Sequence, residues 1–311
     1  MGPDRPAERE QVKPLHGIVA ATVTPMGRTG AVDLGALAAL VEFLVGAGVH
    51  GLFVLASQGE FYSLDRVERR RVARAAVRAA RGRVPVVVNT GTVSTDATLA
   101  LSRDAEEEGV DALGPITPFY LKPTRQELLE HYQTILNAVR CPVYAYNNPG
   151  RAGGVGLDVA TMTRLAEGSL RFAGIFDATG NLQAARRYAR LQGGRFGYFL
   201  AGQLDLAAAM RVGAKGAVLA TANAAPQGFV AMYDAARRGD MAEAERLRKE
   251  LEPLHKLFRT GPFPGTMKAC LELLGLRAGP PRRPAMAAPP EVRARAARIL
   301  QRLGVGRGSG S

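Results

Sequence analysis

Short apolar runs rich in β-branched and aromatic residues alternate along the chain with longer stretches of Ala, Leu and Arg at helical spacing. This alternation is typical of repeated βα units around a parallel sheet. The predicted strands lie near 17–23, 51–55, 85–89, 112–116, 142–146, 172–176, 196–200 and 216–221. Eight such units favour an α/β fold of the closed (β/α)8 TIM-barrel type. An open doubly wound sheet is the alternative, but no glycine-rich dinucleotide fingerprint follows the first strand.

A helix is predicted after every strand. The eight helices lie near 33–47, 64–81, 95–108, 124–138, 158–166, 181–191, 203–211 and 226–238. Ser63 precedes the segment LDRVERR and Thr124 precedes RQELLEHY, and both residue types are good helix N-caps. We therefore expect the second helix to be capped by Ser63 and the fourth by Thr124.

The chain continues past the eighth unit, where the apolar pattern predicts further helices over 241–274 and 290–303. A proline-rich stretch, AGPPRRPAMAAPP, joins them. We interpret this part as a small helical appendage to the barrel. The predicted division is a disordered N-terminal arm, a barrel, a C-terminal helical region and a flexible tail, at 1–14, 15–238, 239–304 and 305–311.

The formal net charge of +13 raises the question of a nucleic-acid partner. The arginines, however, interleave with Ala and Val at amphipathic spacing, as in residues 65–83. This pattern indicates the solvated outer face of a helix. Because no RNA- or DNA-binding motif accompanies the charge, we expect no nucleic-acid partner.

Several other classes of protein are disfavoured by the sequence. No apolar run reaches the roughly 18 residues that a membrane-spanning helix needs, and the charged N-terminus has no hydrophobic signal segment. We therefore expect a cytoplasmic protein with no membrane partner. Cys141 and Cys270 lie far apart and the four histidines are scattered, so we predict no disulfide framework, no metal site and no cofactor.

Polar and aromatic residues are concentrated where the predicted strands end. The segments are ASQGEFYSL (56–64), TPFYLKP (117–123), YNNPGRAGG (146–154), FDATGN (176–181), AGQLD (201–205) and TANAAP (221–226). In TIM barrels the carboxyl ends of the strands and the loops after them carry the active site. We expect the functional groups of this chain in these segments.

Taken together, the segments resemble the dihydrodipicolinate synthase / N-acetylneuraminate lyase family of class I aldolases. The shared pieces are an (S/T)-x-GE loop followed by Phe/Tyr-x-x-Leu, TP(F/Y)Y, YN-x-P-x-R, ATGN, TAN and a late FPGTMKACLELLGL segment. They follow the family's order from about Gly17 to about Gly304. The resemblance implies a homotetramer built from tight dimers, and carbon–carbon or carbon–oxygen lyase activity on a small anionic or carbonyl substrate.

The resemblance also implies that the family's reactive amine is missing. Family members form an imine between a lysine at the end of the sixth strand and a 2-oxo acid, usually pyruvate, and the matching residue here is Phe176. Imine formation needs an uncharged amine, and a phenyl ring has no lone pair to offer. Lys122 is the one lysine that we predict at the functional end of the barrel, so an imine displaced to Lys122 is the alternative.

The other family positions imply acid–base groups. Tyr146 matches the tyrosine that moves protons around the imine, and a phenol hydroxyl suits this role because it both donates and accepts. Ser57 matches the first hydroxyl of a proton relay. Tyr120 matches the tyrosine that completes the relay from the neighbouring subunit. The resemblance thus gives Tyr146, Ser57 and Tyr120 as the candidate catalytic residues.

The resemblance implies an anion-binding loop in a changed form. Gln58 replaces the second hydroxyl of the loop, and Gly59 follows it. The turn still offers the N–H and amide donors that a carboxylate needs. Arg151 matches the arginine that receives the carboxylate of a second substrate. The candidate substrate-binding residues are Ser57, Gln58, Gly59, Arg151 and Phe176.

Two functions remain open at this point. The first is a divergent lyase or aldolase-like enzyme that acts on a 2-oxo acid or a related small carbonyl compound without the lysine imine. The second is a catalytically silent family member that serves as a ligand-binding, structural or regulatory subunit. The retained hydroxyl groups favour the first function, whereas Phe176 argues against standard pyruvate chemistry.

Overall fold

Eight parallel strands pair in chain order and close on themselves in the computed structural model, which describes residues 15–305. The predicted TIM barrel is therefore confirmed. The predicted N-terminal arm and all but the first residue of the predicted tail lie outside the described residues. The strands are β1 Gly17–Ala21, β2 Gly51–Val54, β3 Val86–Val88, β4 Ala112–Leu113, β5 Val143–Asn147, β6 Phe172–Asp177, β7 Gly197–Ala201 and β8 Gly216–Leu219.

Closure of the barrel depends on two facing glycines. Gly17 of β1 pairs with Gly216 of β8. A Cβ atom on Gly216 would lie 2.0 Å from the carbonyl oxygen of Gly17, so no side chain fits there. The last strand can approach the first closely enough to pair because Gly216 lacks a side chain, and a Cβ atom on Gly17 would instead lie 2.4 Å from the His50 ring.

Helices separate the strands and continue after the barrel. They are α1 Leu34–Gly46, α2 Arg66–Ala80, α3 Thr95–Glu107, α4 Arg125–Ala138, α5 Val159–Gly168, α6 Leu182–Tyr188, α7 Leu206–Arg211, α8 Pro226–Arg237, α9 Met241–Thr260, α10 Gly265–Leu273 and α11 Pro290–Arg302. None of the helices in residues 15–305 is both long and apolar enough to cross a bilayer.

One of the two predicted N-caps was wrong. Thr124 caps α4 as predicted, and its hydroxyl accepts a hydrogen bond from the Glu127 N–H. Helix α2, in contrast, is capped by Asp65 rather than Ser63, and Asp65 forms a reciprocal capping box with Glu68. The Ser63 hydroxyl donates instead to the Glu60 carbonyl in the preceding turn, so it is not available to the helix.

Most arginines of α2 are exposed, as the sequence pattern predicts, and some of them also form ion pairs. Arg66 pairs with Asp104 of α3 at 2.5 Å, and Arg74 binds Glu108 just beyond the end of α3 at 2.5 Å. The hydrogen bond from Arg74 lowers the pKa of Glu108 to about 2. Arg69 is buried and donates to the Asn89 carbonyl oxygen at 2.9 Å. Several of these arginines therefore bind α2 to α3 and to the loop after β3.

A buried ion pair joins the loop after β2 to the C-terminal helices. The Lys268 ammonium on α10 lies 2.6 Å from a carboxylate oxygen of Glu60, and both side chains are almost completely buried. The other Glu60 oxygen accepts a hydrogen bond from the Arg282 backbone N–H at 2.8 Å. Burial lowers the pKa of Lys268, and the charge of Glu60 opposes that shift. The appendage thus supports the loop that carries Ser57.

We expect Lys268→Met to lower the free energy of unfolding by about 3–5 kcal/mol, because it leaves the Glu60 carboxylate buried without a cation. Denaturant unfolding followed by circular dichroism measures this change. Lys256→Met is the matched control, since Lys256 is exposed on α9 and its loss should change stability by no more than about 0.5 kcal/mol. A loss below about 1 kcal/mol for Lys268→Met would show that Glu60 does not need this partner.

Candidate active site

The centre of the barrel is filled by aromatic rings from four strands. Tyr146 of β5 pairs in register with Phe176 of β6, and Phe176 pairs with Phe199 of β7. Their rings contact those of Phe53 on β2 and Tyr144 on β5. Residues at matched register positions share one face of a parallel sheet, so these side chains meet inside the barrel.

Phe176 is completely enclosed by this cluster. Its ring lies 5.0 Å from Phe53, 5.2 Å from Tyr144 and 5.5 Å from Phe199, measured between ring centroids, and its relative exposure is 0%. The Tyr144 contact is stacked and the other two are edge-to-face, arrangements that aromatic pairs prefer. Burial raises the pKa of Tyr144 to about 12, so its hydroxyl stays protonated at neutral pH. Tyr146 contacts this apolar cluster through the Phe53 ring.

A chain of polar groups lies around the Tyr146 hydroxyl. The Ser57 hydroxyl is 3.3 Å from it, and either group can be the donor. The Asn148 side-chain amide donates a hydrogen bond to the same Tyr146 oxygen at 2.8 Å. Because Asn148 occupies an acceptor site on this oxygen, the Tyr146 proton is directed away from Asn148, toward Ser57 or a ligand.

The turn that carries Ser57 presents donors at the same level of the barrel. Ser57, Gln58 and Gly59 form a short 3₁₀ helix, and the first N–H groups of such a helix have no acceptor within it. The Gln58 amide donates to the Pro264 carbonyl oxygen at 3.4 Å. Its own carbonyl oxygen is buried and has no hydrogen-bond partner within residues 15–305. A buried amide oxygen without a donor is costly.

Arg151 is held over an aromatic ring from the C-terminal region. Its guanidinium carbon lies 3.8 Å from the ring centroid of Phe263, between α9 and α10. This cation–π contact positions an otherwise exposed arginine. The segment before it is anchored by Asn147, whose amide donates to the buried Asp177 carboxylate at 2.8 Å. Burial raises the pKa of Asp177, and the Asn147 and Thr179 hydrogen bonds oppose that shift.

Tyr120 lies away from the other candidate residues within one chain. Its side chain is 90% exposed, and Leu121 beside it is 62% exposed. The backbone of Tyr120 has a φ of 74°, a left-handed conformation that non-glycine residues rarely adopt. The structure therefore brings Ser57 and Tyr146 together but does not bring Tyr120 to them within the same chain.

No lysine of the described chain faces Tyr146. Lys268 is buried in its ion pair with Glu60, and Lys215 is exposed just before β8, at the opposite end of the barrel. Lys249 and Lys256 are exposed on α9. Lys122 lines a separate cavity between α4 and α5, and neither Ser57, Tyr146 nor Phe176 contributes to the wall of that cavity. Lys13 lies outside the described residues.

Two groups at the site were missed by reasoning from the sequence. Asn148 occupies the variable position of the YN-x-P-x-R motif, and its carboxamide was a signal that could have been read. Phe263 gave no signal, because its contact with Arg151 joins segments far apart in the sequence. Within residues 15–305 no three His, Cys, Asp or Glu side chains are grouped so that they could hold a metal ion.

Comparison with known proteins agrees with this architecture. Residues 14–303 match the dihydrodipicolinate synthetase family. The chain is 40% identical over 262 residues to a 4-hydroxy-tetrahydrodipicolinate synthase of Rhodospirillum centenum, with 84% of this chain and 89% of the relative covered.

Solved structures are similar over nearly the full length. Dihydrodipicolinate synthase from Aquifex aeolicus is 29% identical and superposes with a TM-score of 0.89 over 94% of this chain and 99% of its own. A prophage protein of the dihydrodipicolinic acid synthase family from E. coli K12, solved in complex with pyruvate, is 30% identical. Its TM-score is 0.88 over 93% of this chain and 99% of its own.

Proposed function

The chain belongs to the dihydrodipicolinate synthetase family, and on this premise we propose that it is a divergent lyase or aldolase-like enzyme. Its substrate is a 2-oxo acid or a related small carbonyl compound, which it binds without forming a lysine imine. The single observation that carries the proposal is the Ser57–Tyr146 hydroxyl pair, 3.3 Å apart above a completely buried Phe176 ring. In this proposal the protein keeps the Ser57 and Tyr146 hydroxyl groups of a proton relay but has Phe176 in place of the lysine that would bond to the substrate.

The first step of the proposed mechanism is recognition of the acid group. The free N–H groups of the Ser57–Gln58 turn bind the substrate carboxylate, as backbone N–H groups do in other anion sites. The Gln58 side chain accepts a hydrogen bond through its unpartnered oxygen, for example from a substrate hydroxyl. Gln58 therefore favours substrates that are more hydroxylated than a simple 2-oxo acid. The pyruvate bound to the similar E. coli K12 protein supports the assignment of the substrate class.

The second step is activation of the carbonyl group. The Tyr146 hydroxyl donates a hydrogen bond to the substrate carbonyl oxygen, and Asn148 holds the phenol in place from the other side. This interaction polarises the carbonyl and stabilises the negative charge that develops on its oxygen. Tyr146 then transfers its proton to that oxygen, Ser57 passes its own proton to Tyr146, and Ser57 takes a proton back from water. The carbonyl oxygen thus takes over the role that an imine nitrogen has in a class I aldolase.

A catalytically silent, ligand-binding protein is the second candidate function. The observation that favours it is the closed aromatic cluster, in which Phe176 is 0% exposed and three neighbouring rings fill the lumen. Such packing stabilises the barrel by about 0.5–1.5 kcal/mol for each aromatic pair. Enzymes often give up stability at active sites. A protein that has lost catalysis no longer needs that sacrifice, so its lumen can be well packed.

The proposal includes a homo-oligomer, a dimer or a tetramer, in which Tyr120 crosses a subunit contact. Tyr120 and Leu121 form an exposed apolar pair, 90% and 62% accessible, and the unusual backbone of Tyr120 holds its side chain outward. Exposed aromatic residues on otherwise polar surfaces are typical of protein contacts. In the assembly, the Tyr120 hydroxyl of one subunit would complete the Ser57–Tyr146 pair of the next.

We expect no covalent adduct when the protein is treated with pyruvate and sodium borohydride, because no lysine is available beside Tyr146 to form a reducible imine. Intact-protein mass spectrometry measures the outcome. Phe176→Lys is the matched variant. An adduct formed by this variant but not by the native protein would show that residue 176 occupies the position of the family's lysine. An adduct on the native protein that disappears in Lys122→Met would contradict the proposal in favour of a displaced imine.

Tyr146→Phe should lower turnover of the best substrate found among 2-oxo acids and hydroxylated 2-oxo acids by about 10²–10⁴-fold, because it removes the general acid. Proton NMR of the reaction mixture measures turnover. Tyr233→Phe, which removes a hydroxyl on α8 away from the site, serves as the control and should retain full activity. Saturable binding without turnover of any compound would refute the enzyme and favour the silent protein.

Sedimentation velocity should show a dimer or a tetramer. Leu121→Asp places a charge in the proposed contact and should shift the protein toward the monomer without unfolding it. Leu170→Asp is the matched control, since Leu170 is 70% exposed before β6 and its replacement should leave the assembly unchanged. A native protein that sediments as a monomer at all concentrations would rule out a relay through Tyr120.

A further inference from the structure

A cavity lies at the same end of the barrel as Tyr146, between the loops that follow β4 and β5. We call it the α4–α5 cavity. Its volume is about 370 Å³, within the range of small-molecule sites. It is lined by Lys122, Pro123, Arg125, Leu128, residues 153–156, Asp158 and Thr161. None of the candidate catalytic residues lines it.

The wall of the α4–α5 cavity carries an unbalanced positive charge. Arg125 pairs with Asp158 at 2.5 Å, and Asp158 also accepts a hydrogen bond from the Thr161 N–H at 2.8 Å. This carboxylate is therefore already satisfied. Within residues 15–305 no acidic side chain lies in ion-pair distance of Lys122. The cavity thus presents one free ammonium group and the unused N–H groups of Arg125.

The backbone around the α4–α5 cavity adds to its positive electrostatic potential. Helix α4 begins at Arg125 and α5 follows its N-cap Asp158, so the amino ends of two helices converge on one space. The amino end of a helix carries partial positive charge and favours anions. Gly153 and Gly154 have φ values of 64° and 90°, and a Cβ atom on either would meet no atom within 4 Å. The glycine backbone is therefore open to close approach by a ligand.

We propose that the α4–α5 cavity binds a small organic anion, whose carboxylate or phosphate group contacts Lys122 and Arg125. The apolar side chains of Leu128 and Val155, which also line the cavity, accommodate a short carbon skeleton. Lys122 and Arg125 are both exposed at the open rim of the cavity, where two cationic side chains match the charge of an oxyanion.

A bound anion would bridge the two segments that carry Tyr120 and Arg151. The first wall of the cavity follows directly from the segment 117–123, and the second continues the loop that contains Arg151. The Thr117 hydroxyl already donates to the Val155 carbonyl oxygen at 3.3 Å, so the two segments are coupled. The anion site is therefore separate from the Tyr146 site, although its walls are continuous with the loops that carry Tyr120 and Arg151.

Isothermal titration calorimetry at constant ionic strength tests the proposal, with inorganic phosphate and malonate as separate probes. We expect saturable binding of at least one probe to the full-length protein, and Lys122→Met should weaken it at least 5-fold. Lys256→Met removes the same charge from an exposed position on α9 and should bind as the native protein does. The probe whose binding is weakened by Lys122→Met identifies the class of anion, phosphate or carboxylate.

Binding at the mouth of the barrel is distinguished by Gln58→Leu. The effect of Lys122→Met should persist in this background, because Gln58 does not line the α4–α5 cavity. If Lys122→Met binds both probes as tightly as Lys256→Met, or if its effect vanishes in Gln58→Leu, the α4–α5 cavity is not an anion site. Either result would overturn this proposal and leave the proposed function of the Tyr146 site untouched.

Discussion

The packing of the Phe176 ring against Phe53, Tyr144 and Phe199 is the constraint on which the rest of the site depends. These neighbours come from β2, β5 and β7, so one side chain contacts strands on several sides of the barrel. The ring closes the lumen in register with Tyr146, whose ring contacts the same Phe53, and leaves the polar layer at the mouth of the barrel for chemistry. In that layer lie the hydroxyl groups of Ser57 and Tyr146, the Asn148 amide and the Gln58 turn.

The surroundings of Phe176 are consistent with an apolar side chain. Burial holds the Tyr144 hydroxyl in its neutral form, and no carboxylate is among the ring's contacts. A cation at this position would lose its hydration without gaining a partner, which is costly in a protein interior. The Gln58 side-chain oxygen, in the turn that also carries Ser57, is buried without a hydrogen-bond partner in residues 15–305. The lumen and the mouth of the barrel thus have separate roles in stability and in recognition.

The barrel could be predicted because eight apolar runs alternate regularly with eight helical stretches along the chain. The cap at Ser63 could not, because Ser63 is bound to the Glu60 turn and Asp65 is the better-placed acceptor. Sequence order placed Lys122 at the correct end of the barrel but not in its own cavity, because that cavity is formed by two loops that lie apart in the sequence. Contacts such as Arg151 with Phe263 depend on tertiary packing alone.

The most direct test of this account is a crystal structure of the protein soaked with pyruvate and with a hydroxylated 2-oxo acid. The account predicts discrete ligand density above the Phe176 ring, with the carbonyl oxygen within hydrogen-bond distance of the Tyr146 hydroxyl and the carboxylate on the Ser57–Gln58 turn. Electron density continuous from the ligand carbonyl carbon to a lysine side chain would contradict it. So would a Phe176 ring displaced from its cluster with a lysine amine in its place beside the ligand.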